Sequence, residues 1–430
     1  MTRTRSVAVV LSAASVMLST TACFSGPSDD RTPSPSPPPT QTSQDSSQAT
    51  SPLVWADETE VQATVDAVPS QPALEGDDFV VVGETPVAGQ DEGRLIPMAL
   101  MPDGSLVVAE IPPDQYDGGQ WLLEPSLVGR WDGDTFSAFP DSTAVFADEH
   151  PRQASGASSD GATTVWTETT STDLFQSSWR VFSHDATGTV HLVGRAEQIN
   201  AAGLPIIDGD PEPQVHAGRA FWATSYPLVT SPTPDARDWT MAVVSAPVDG
   251  SGEPVVEAVD ANYPAATAGV MYAVRPTPGE AFTPGHYGVV SSLEGGQAHE
   301  FVRTAPGWAG YIASIAAGGE HLAVVLVSDT GDAQLAVISV SDHDALFVPL
   351  DSAQTQVAVC DDRIVFTSAD YSGAGSKPVI VLTPSARTLS TAQVEGNYGP
   401  VGCAGDFVTW SVIGSEPGAR AQGVVTEWAR

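Results

Sequence analysis

The chain has 430 residues, 41% of them hydrophobic, which is material for one large domain or two smaller ones. Its formal net charge is -36 and Lys377 is its only lysine. So acidic a surface repels phosphate backbones and anionic headgroups, which excludes nucleic acid as a partner and leaves cations as the ions it would attract.

At the start of the chain, Arg3 and Arg5 form a basic segment, Ser6 to Ser19 a short apolar run, and Thr20-Thr21-Ala22-Cys23 follows. A secretory signal needs charge held on the cytoplasmic side, an apolar run too short to span stably, and small residues where a peptidase reaches the backbone. The pattern resembles the signal peptide and lipobox of bacterial lipoproteins, although Thr20 stands where that family prefers Leu and Leu18 lies further back. The resemblance implies removal of residues 1–22, lipidation of Cys23, and anchoring at the outer face of the bacterial cell membrane. Ordinary secretion with cleavage near Ala22, or an uncleaved anchor, are the alternatives. No later segment holds 18 uninterrupted apolar residues, so no second span is expected.

Residues 23–52 form the next unit. From Phe24 onward they are rich in Pro, Ser, Thr, Gln and Asp, with the run Pro33-Ser34-Pro35-Ser36-Pro37-Pro38-Pro39. Such a stretch buries too little apolar surface to offset the entropy of ordering it, so a disordered, extended tether is predicted. At about 3.1 Å per residue, roughly 29 residues reach some tens of ångströms, enough to hold a domain within or above a wall layer.

Residues 53–430 carry a repeat. Each unit has a short strand, a tight Gly or Asp turn, and a returning strand with a large residue followed by a small one. The pairs are Val108-Ala109, Trp166-Thr167, Trp222-Ala223, Tyr272-Ala273, Leu322-Ala323, Phe366-Thr367 and Trp410-Ser411, at steps of 58, 56, 50, 50, 44 and 44 residues. Third and fourth strands follow, such as Trp239 to Ser245 and Pro254 to Val259. Four antiparallel strands repeated at this spacing, with almost no helical periodicity, predict an all-β fold: a β-propeller of seven four-stranded blades. First strands built of small residues, as in Gln153 to Ser159, Ala265 to Ala268 and Ile315 to Gly319, suit the crowded axis. The last unit runs out after three strands, and Phe79 to Val82 is the candidate for its fourth. Over roughly residues 75–430 the pattern resembles TolB-like and WD40-like propellers, without their family-specific dipeptides. That resemblance implies an architecture and leaves activity open.

With Cys23 lipidated, Cys360 and Cys403 remain. They are an even number in an oxidising compartment, at matched positions of two units 43 residues apart, so a disulfide stapling the last two blades is predicted, buried free thiols being the alternative.

Up-and-down strands sort the loops onto two faces. One face has short turns; the other has long loops, including Ile111 to Gln120, Thr169 to Ser178, Tyr226 to Asp238 and Arg275 to Gly285, with connections Asp141 to Gln153 and Ala196 to Gln214. The long-loop side carries Asp114, Tyr116, Asp117, Asp173, Phe175, Tyr226, Asp235 and Arg237, an acidic and aromatic set suited to sugars or cationic groups, with plain solvated loops as the alternative. No Gly-x-Ser-x-Gly elbow, His-Glu-x-x-His helix or phosphate-cradling loop occurs. Asp208-Gly209-Asp210-Pro211-Glu212 has only part of a calcium loop. No catalytic residue, metal or cofactor is assigned, and a monomer is expected. The leading expectation is a surface propeller that binds a protein, peptide or glycan. A glycan-active enzyme with carboxylates at the channel, and an accessory lipoprotein of an envelope assembly or membrane sensor, are the alternatives.

Overall fold

In a computed structural model, the described residues are 51–62, 68–86, 94–111, 126–148, 152–170, 178–200, 212–228, 239–368, 376–397, 400–413 and 421–429. Three strands come first: β1 (Leu53–Trp55), β2 (Ser70–Pro72) and β3 (Phe79–Glu84). Blade 1 is β4 (Arg94–Leu100), β5 (Leu106–Ile111), β6 (Leu127–Trp131) and β7 (Phe136–Ala138), followed by the one-turn helix α1 (Ser142–Val145). Blade 2 is β8 (Gln153–Ser159), β9 (Thr164–Thr169), β10 (Trp179–His184) and β11 (Val190–Arg195), followed by α2 (Ala196–Ile199). Blade 3 is β12 (Gln214–His216), β13 (Arg219–Pro227), β14 (Trp239–Pro247) and β15 (Val255–Val259). Blade 4 is β16 (Asn262–Ala266), β17 (Met271–Arg275), β18 (Val289–Glu294) and β19 (Gln297–Thr304). Blade 5 is β20 (Gly310–Gly318), β21 (His321–Ser328), β22 (Ala333–Ser339) and β23 (Ala345–Leu350). Blade 6 is β24 (Thr355–Cys360), β25 (Arg363–Ser368), β26 (Ser376–Thr383) and β27 (Thr388–Glu395). Blade 7 is β28 (Gly402–Ala404), β29 (Phe407–Ile413), β30 (Ala421–Trp428) and, from the other end of the chain, β3.

The first strands close a circuit, each beside the next from β4 through β8, β12, β16, β20 and β24 to β28, which returns to β4. The fold is therefore the seven-bladed propeller that the repeat predicts. Every large-small pair falls on the second strand of its blade and is buried. A second strand has a neighbouring blade against each face, so large side chains there fill the gaps between sheets. Trp222 packs edge-on against Trp179 at 5.4 Å, whose indole N–H donates to Thr224 Oγ1 at 2.8 Å. Trp166 stacks on Phe182 at 5.8 Å. Burying roughly 200 Å² of indole at about 25 cal/mol per Å² contributes up to about 5 kcal/mol each.

Small residues on first strands prove a partial rule. β8 is built that way, but β4 reads Arg-Leu-Ile-Pro-Met-Ala-Leu, and β20 carries Tyr311, Ile312 and Ile315. Side chains alternate along an inner strand, and the larger ones turn into the gaps between blades. Ile96 and Met98 join the cluster around Trp166, and Ile312 and Ile315 join the one around Tyr272.

Ring closure follows the prediction. β3 pairs antiparallel with β30, and Phe79 stacks on Trp428 at 4.9 Å and meets Trp410 edge-on at 6.0 Å. Cys360 and Cys403 form a disulfide between first strands β24 and β28, with Cα atoms 5.7 Å apart. From β25, Arg363 donates to the carbonyls of Trp428 at 3.2 Å and Ala429 at 2.9 Å. Two additions were outside the prediction. β1 pairs antiparallel with β19 as a fifth strand of blade 4, and β2 pairs in parallel with β27 as a fifth strand of blade 6. Leu53 is fully buried there, and Trp55 lies 4.7 Å from the His343 ring of the β22–β23 turn, tying blade 5 to blade 4.

Candidate functional site: the long-loop face

Strand direction places the first-to-second and third-to-fourth turns on one face, and these are short. Their acidity is structural. Asp185 accepts from the Thr187 N–H at 2.9 Å, its hydroxyl at 2.6 Å and the Thr189 N–H at 3.0 Å, and it pairs with His191 Nε2 at 3.0 Å. Bonds from Thr187 and His191 hold its carboxyl far below the usual range. Asp132 does the same for the β6–β7 turn, lowered by Thr135 and Asp134. These carboxylates hold hairpins.

On the opposite face, blades 1 and 2 share a buried ion network. Arg152 Nε donates to Glu168 Oε2 at 2.6 Å, and its two terminal nitrogens donate to Asp148 at 2.9 Å and Ser142 Oγ at 2.9 Å. Arg180 binds Asp148 at 2.9 Å and Glu197 at 2.8 Å, while Trp166 Nε1 donates to the other oxygen of Glu168 at 2.8 Å. The network joins the blade 1–2 connection to β9, β10 and α2. Two arginines face three carboxylates, and every one of these groups has a partner inside the network, so it organises the loops and presents little to a ligand.

Between blades 4 and 5 the same face opens into a groove of about 570 Å³, lined among others by Glu280, His286, Tyr311 and Asp329. Its walls are held from below. Tyr287 and Ile312 exchange backbone hydrogen bonds at 3.1 and 2.7 Å, bridging the β17–β18 loop to the first strand of blade 5. The Tyr287 hydroxyl accepts from Asn262 Nδ2 at 2.9 Å, and its ring meets Tyr263 edge-on at 5.8 Å. The Glu280 N–H donates to the Thr277 carbonyl at 2.9 Å and the His286 N–H to the Thr283 carbonyl at 3.1 Å, which fix the loop's own turns. On this platform the exposed His286 ring stacks on Tyr311, 4.0 Å between centroids and 19° from parallel. Glu280 and Asp329 are exposed, and among the described residues neither side chain has a hydrogen-bond or ion-pair partner. A stacked ring pair between free carboxylates, in a groove within the size range of ligand sites, suits a flat or cationic ligand group.

Of the residues read from sequence, Tyr226 lies half-buried at the end of β13 on this face, opposite Thr240. Asp114, Tyr116, Asp117, Asp173, Phe175, Asp235 and Arg237 lie outside the described residues, as does Cys23. The groove's own residues escaped the sequence reading, although Arg275 to Gly285 was recognised as a long loop. His286 and Tyr311 are 25 residues apart in different blades, and only the cross-blade bridge brings them together. Glu212, last residue of the partial calcium loop, precedes β12 by two positions at the long-loop end of a first strand. Its side chain is exposed, yet desolvation by the surrounding protein raises its carboxyl. Among the described residues no three His, Cys, Asp or Glu side chains gather to hold a metal ion.

No protein-family model matches this chain, and no curated protein matches it. Among solved structures, the acylaminoacyl peptidase of Pyrococcus horikoshii aligns over 76% of this chain and 50% of its own, at 10% identity and TM-score 0.51. An uncharacterized protein of Listeria monocytogenes EGD-e aligns over 79% of this chain and 96% of its own, at 10% identity and TM-score 0.50. A puromycin-hydrolyzing peptidase of Mycobacterium tuberculosis aligns over 82% and 55%, at 13% identity and TM-score 0.48. At such identities the likeness is one of fold, and this chain spans about half the length of the peptidases it matches.

Proposed function

We propose that this protein is a lipid-anchored propeller at the outer face of a bacterial membrane, and that it binds a protein, peptide or glycan through its long-loop face. For binding, the observation that carries the reading is the groove of His286, Tyr311, Glu280 and Asp329, because it is preorganised, open and holds uncompensated charge. For location, support comes from the basic, apolar and small-residue succession ending at Cys23 and the Pro-rich run behind it. Peptide cleavage, the activity in the names of the two peptidases, finds no support in a chain without a Gly-x-Ser-x-Gly elbow.

Two experiments test the two halves. Cys23→Ala should move the protein from the membrane fraction to the medium, and unchanged membrane retention contradicts lipidation. Affinity capture on intact cells with the purified chain should recover proteins or wall glycans that are lost with Tyr311→Ala, or with alanine at Tyr116 and Tyr226. Capture indifferent to all three changes removes the basis for a long-loop site.

A further inference from the structure

We propose that the groove between blades 4 and 5 receives the ammonium or guanidinium group of a Lys or Arg side chain on a basic peptide. This ligand class rests on the long-loop reading and narrows it. Three observations carry it. First, Glu280 and Asp329 both line the groove without a cationic partner among the described residues. Arg303, on β19, is already paired with Glu300 at 3.1 Å and Glu58 at 3.3 Å, and Arg275, at the end of β17, does not line the groove. An approaching cation therefore meets free carboxylates and displaces no internal ion pair. Second, the His286–Tyr311 stack supplies an aromatic surface beside those carboxylates, and a cation gains from both at once. Third, the whole molecule carries -36, so its field concentrates basic ligands at every acidic cleft. A neutral sugar could stack on the rings but would use neither the free charge nor the field.

The groove is also built to stay as it is. The Tyr287–Ile312 bridge fixes its floor, and Gly310, at the start of β20, lets that floor pass under Trp308. Binding should therefore cost little loop ordering, which favours recognition of a short extended segment without refolding.

The test is a fluorescence-anisotropy titration of the full-length chain with a labelled Lys/Arg-rich nonapeptide, beside a neutral N-acetylglucosamine trisaccharide. Glu280→Gln with Asp329→Asn should weaken peptide binding about tenfold, and Tyr311→Ala about threefold, while the fold, followed by circular dichroism and melting, is unchanged. A control, Glu320→Gln with Asp342→Asn, removes the same charge from the short-turn face and should change affinity less than about twofold. Affinity should also fall as salt is raised. Equal losses in groove and control variants overturn the site, because the field alone would then explain binding. Trisaccharide binding that Tyr311→Ala abolishes, without peptide binding, overturns the cation class and leaves the long-loop reading standing. If neither probe binds, the cation proposal fails, and the long-loop reading then depends on capture from cells.

Discussion

Gly310 shows how closely residue identity is coupled to the groove. A methyl group there would lie 2.4 Å from the Trp308 ring and 2.5 Å from the Val327 carbonyl. Gly310→Ala should therefore cost about 1–3 kcal/mol in denaturant unfolding and disturb the groove floor. Gly269, in the β16–β17 turn, has no heavy atom within 4 Å of the same position and no left-handed φ. Gly269→Ala should be neutral or gain up to about 1 kcal/mol. Equal losses at both positions would contradict the packing described. Titratable residues give two predictions of opposite sign. Asp185 has a folded pKa below its unfolded value, so its contribution is present above about pH 4 and is lost as pH falls toward the folded value. Asp185→Asn should flatten the acid limb of the stability curve. Glu212 has a folded pKa above its unfolded value, so the native state holds the extra proton and stability falls as pH rises from about 4 through the folded value. Glu212→Gln should remove that decline, and an unchanged pH profile would place the carboxylate in ordinary solvent.

Among the elements, second strands were the most legible in the sequence. A pair such as Trp166-Thr167 has to be large and then small wherever sheets meet, so the spacing survives unequal loops. First strands were less so, because β4 turns Ile96 and Met98 into the same gaps and loses the small-residue signature. β1 and β2 left no periodic trace: each is three residues long, and β2 contains Pro72 in a parallel pairing. The candidate site was legible only as a face. Loop lengths identify which end bears long loops, but His286 and Tyr311 meet through tertiary pairing. The ion network illustrates the same limit, since Asp148 and Arg152 on the blade 1–2 connection meet Glu168 on β9 and Arg180 on β10 only in the folded ring. Glu168→Ala would leave the Arg152 guanidinium buried without its shortest partner and should cost about 3–5 kcal/mol, read as a lower denaturant midpoint. A loss under 1 kcal/mol would show that the loops are held by other contacts.

At the scale of the molecule, the ring is closed by pairing from both chain ends and by one covalent bond. Phe79 against Trp428, Arg363 on the terminal carbonyls, and Cys360–Cys403 all act on blades 6 and 7. For a disulfide spanning 43 residues, loop entropy predicts up to about 4 kcal/mol of stabilisation. Cys360→Ser with Cys403→Ser should lower the unfolding free energy toward that amount while retaining β content. On this closed scaffold the proposed ligand site lies between blades 4 and 5, on the long-loop face. Hydrogen exchange of the full chain with and without a ligand captured from cells tests it most directly. Protection concentrated in residues 276–288 and 308–331 is the predicted result; protection confined to the short-turn hairpins would contradict it.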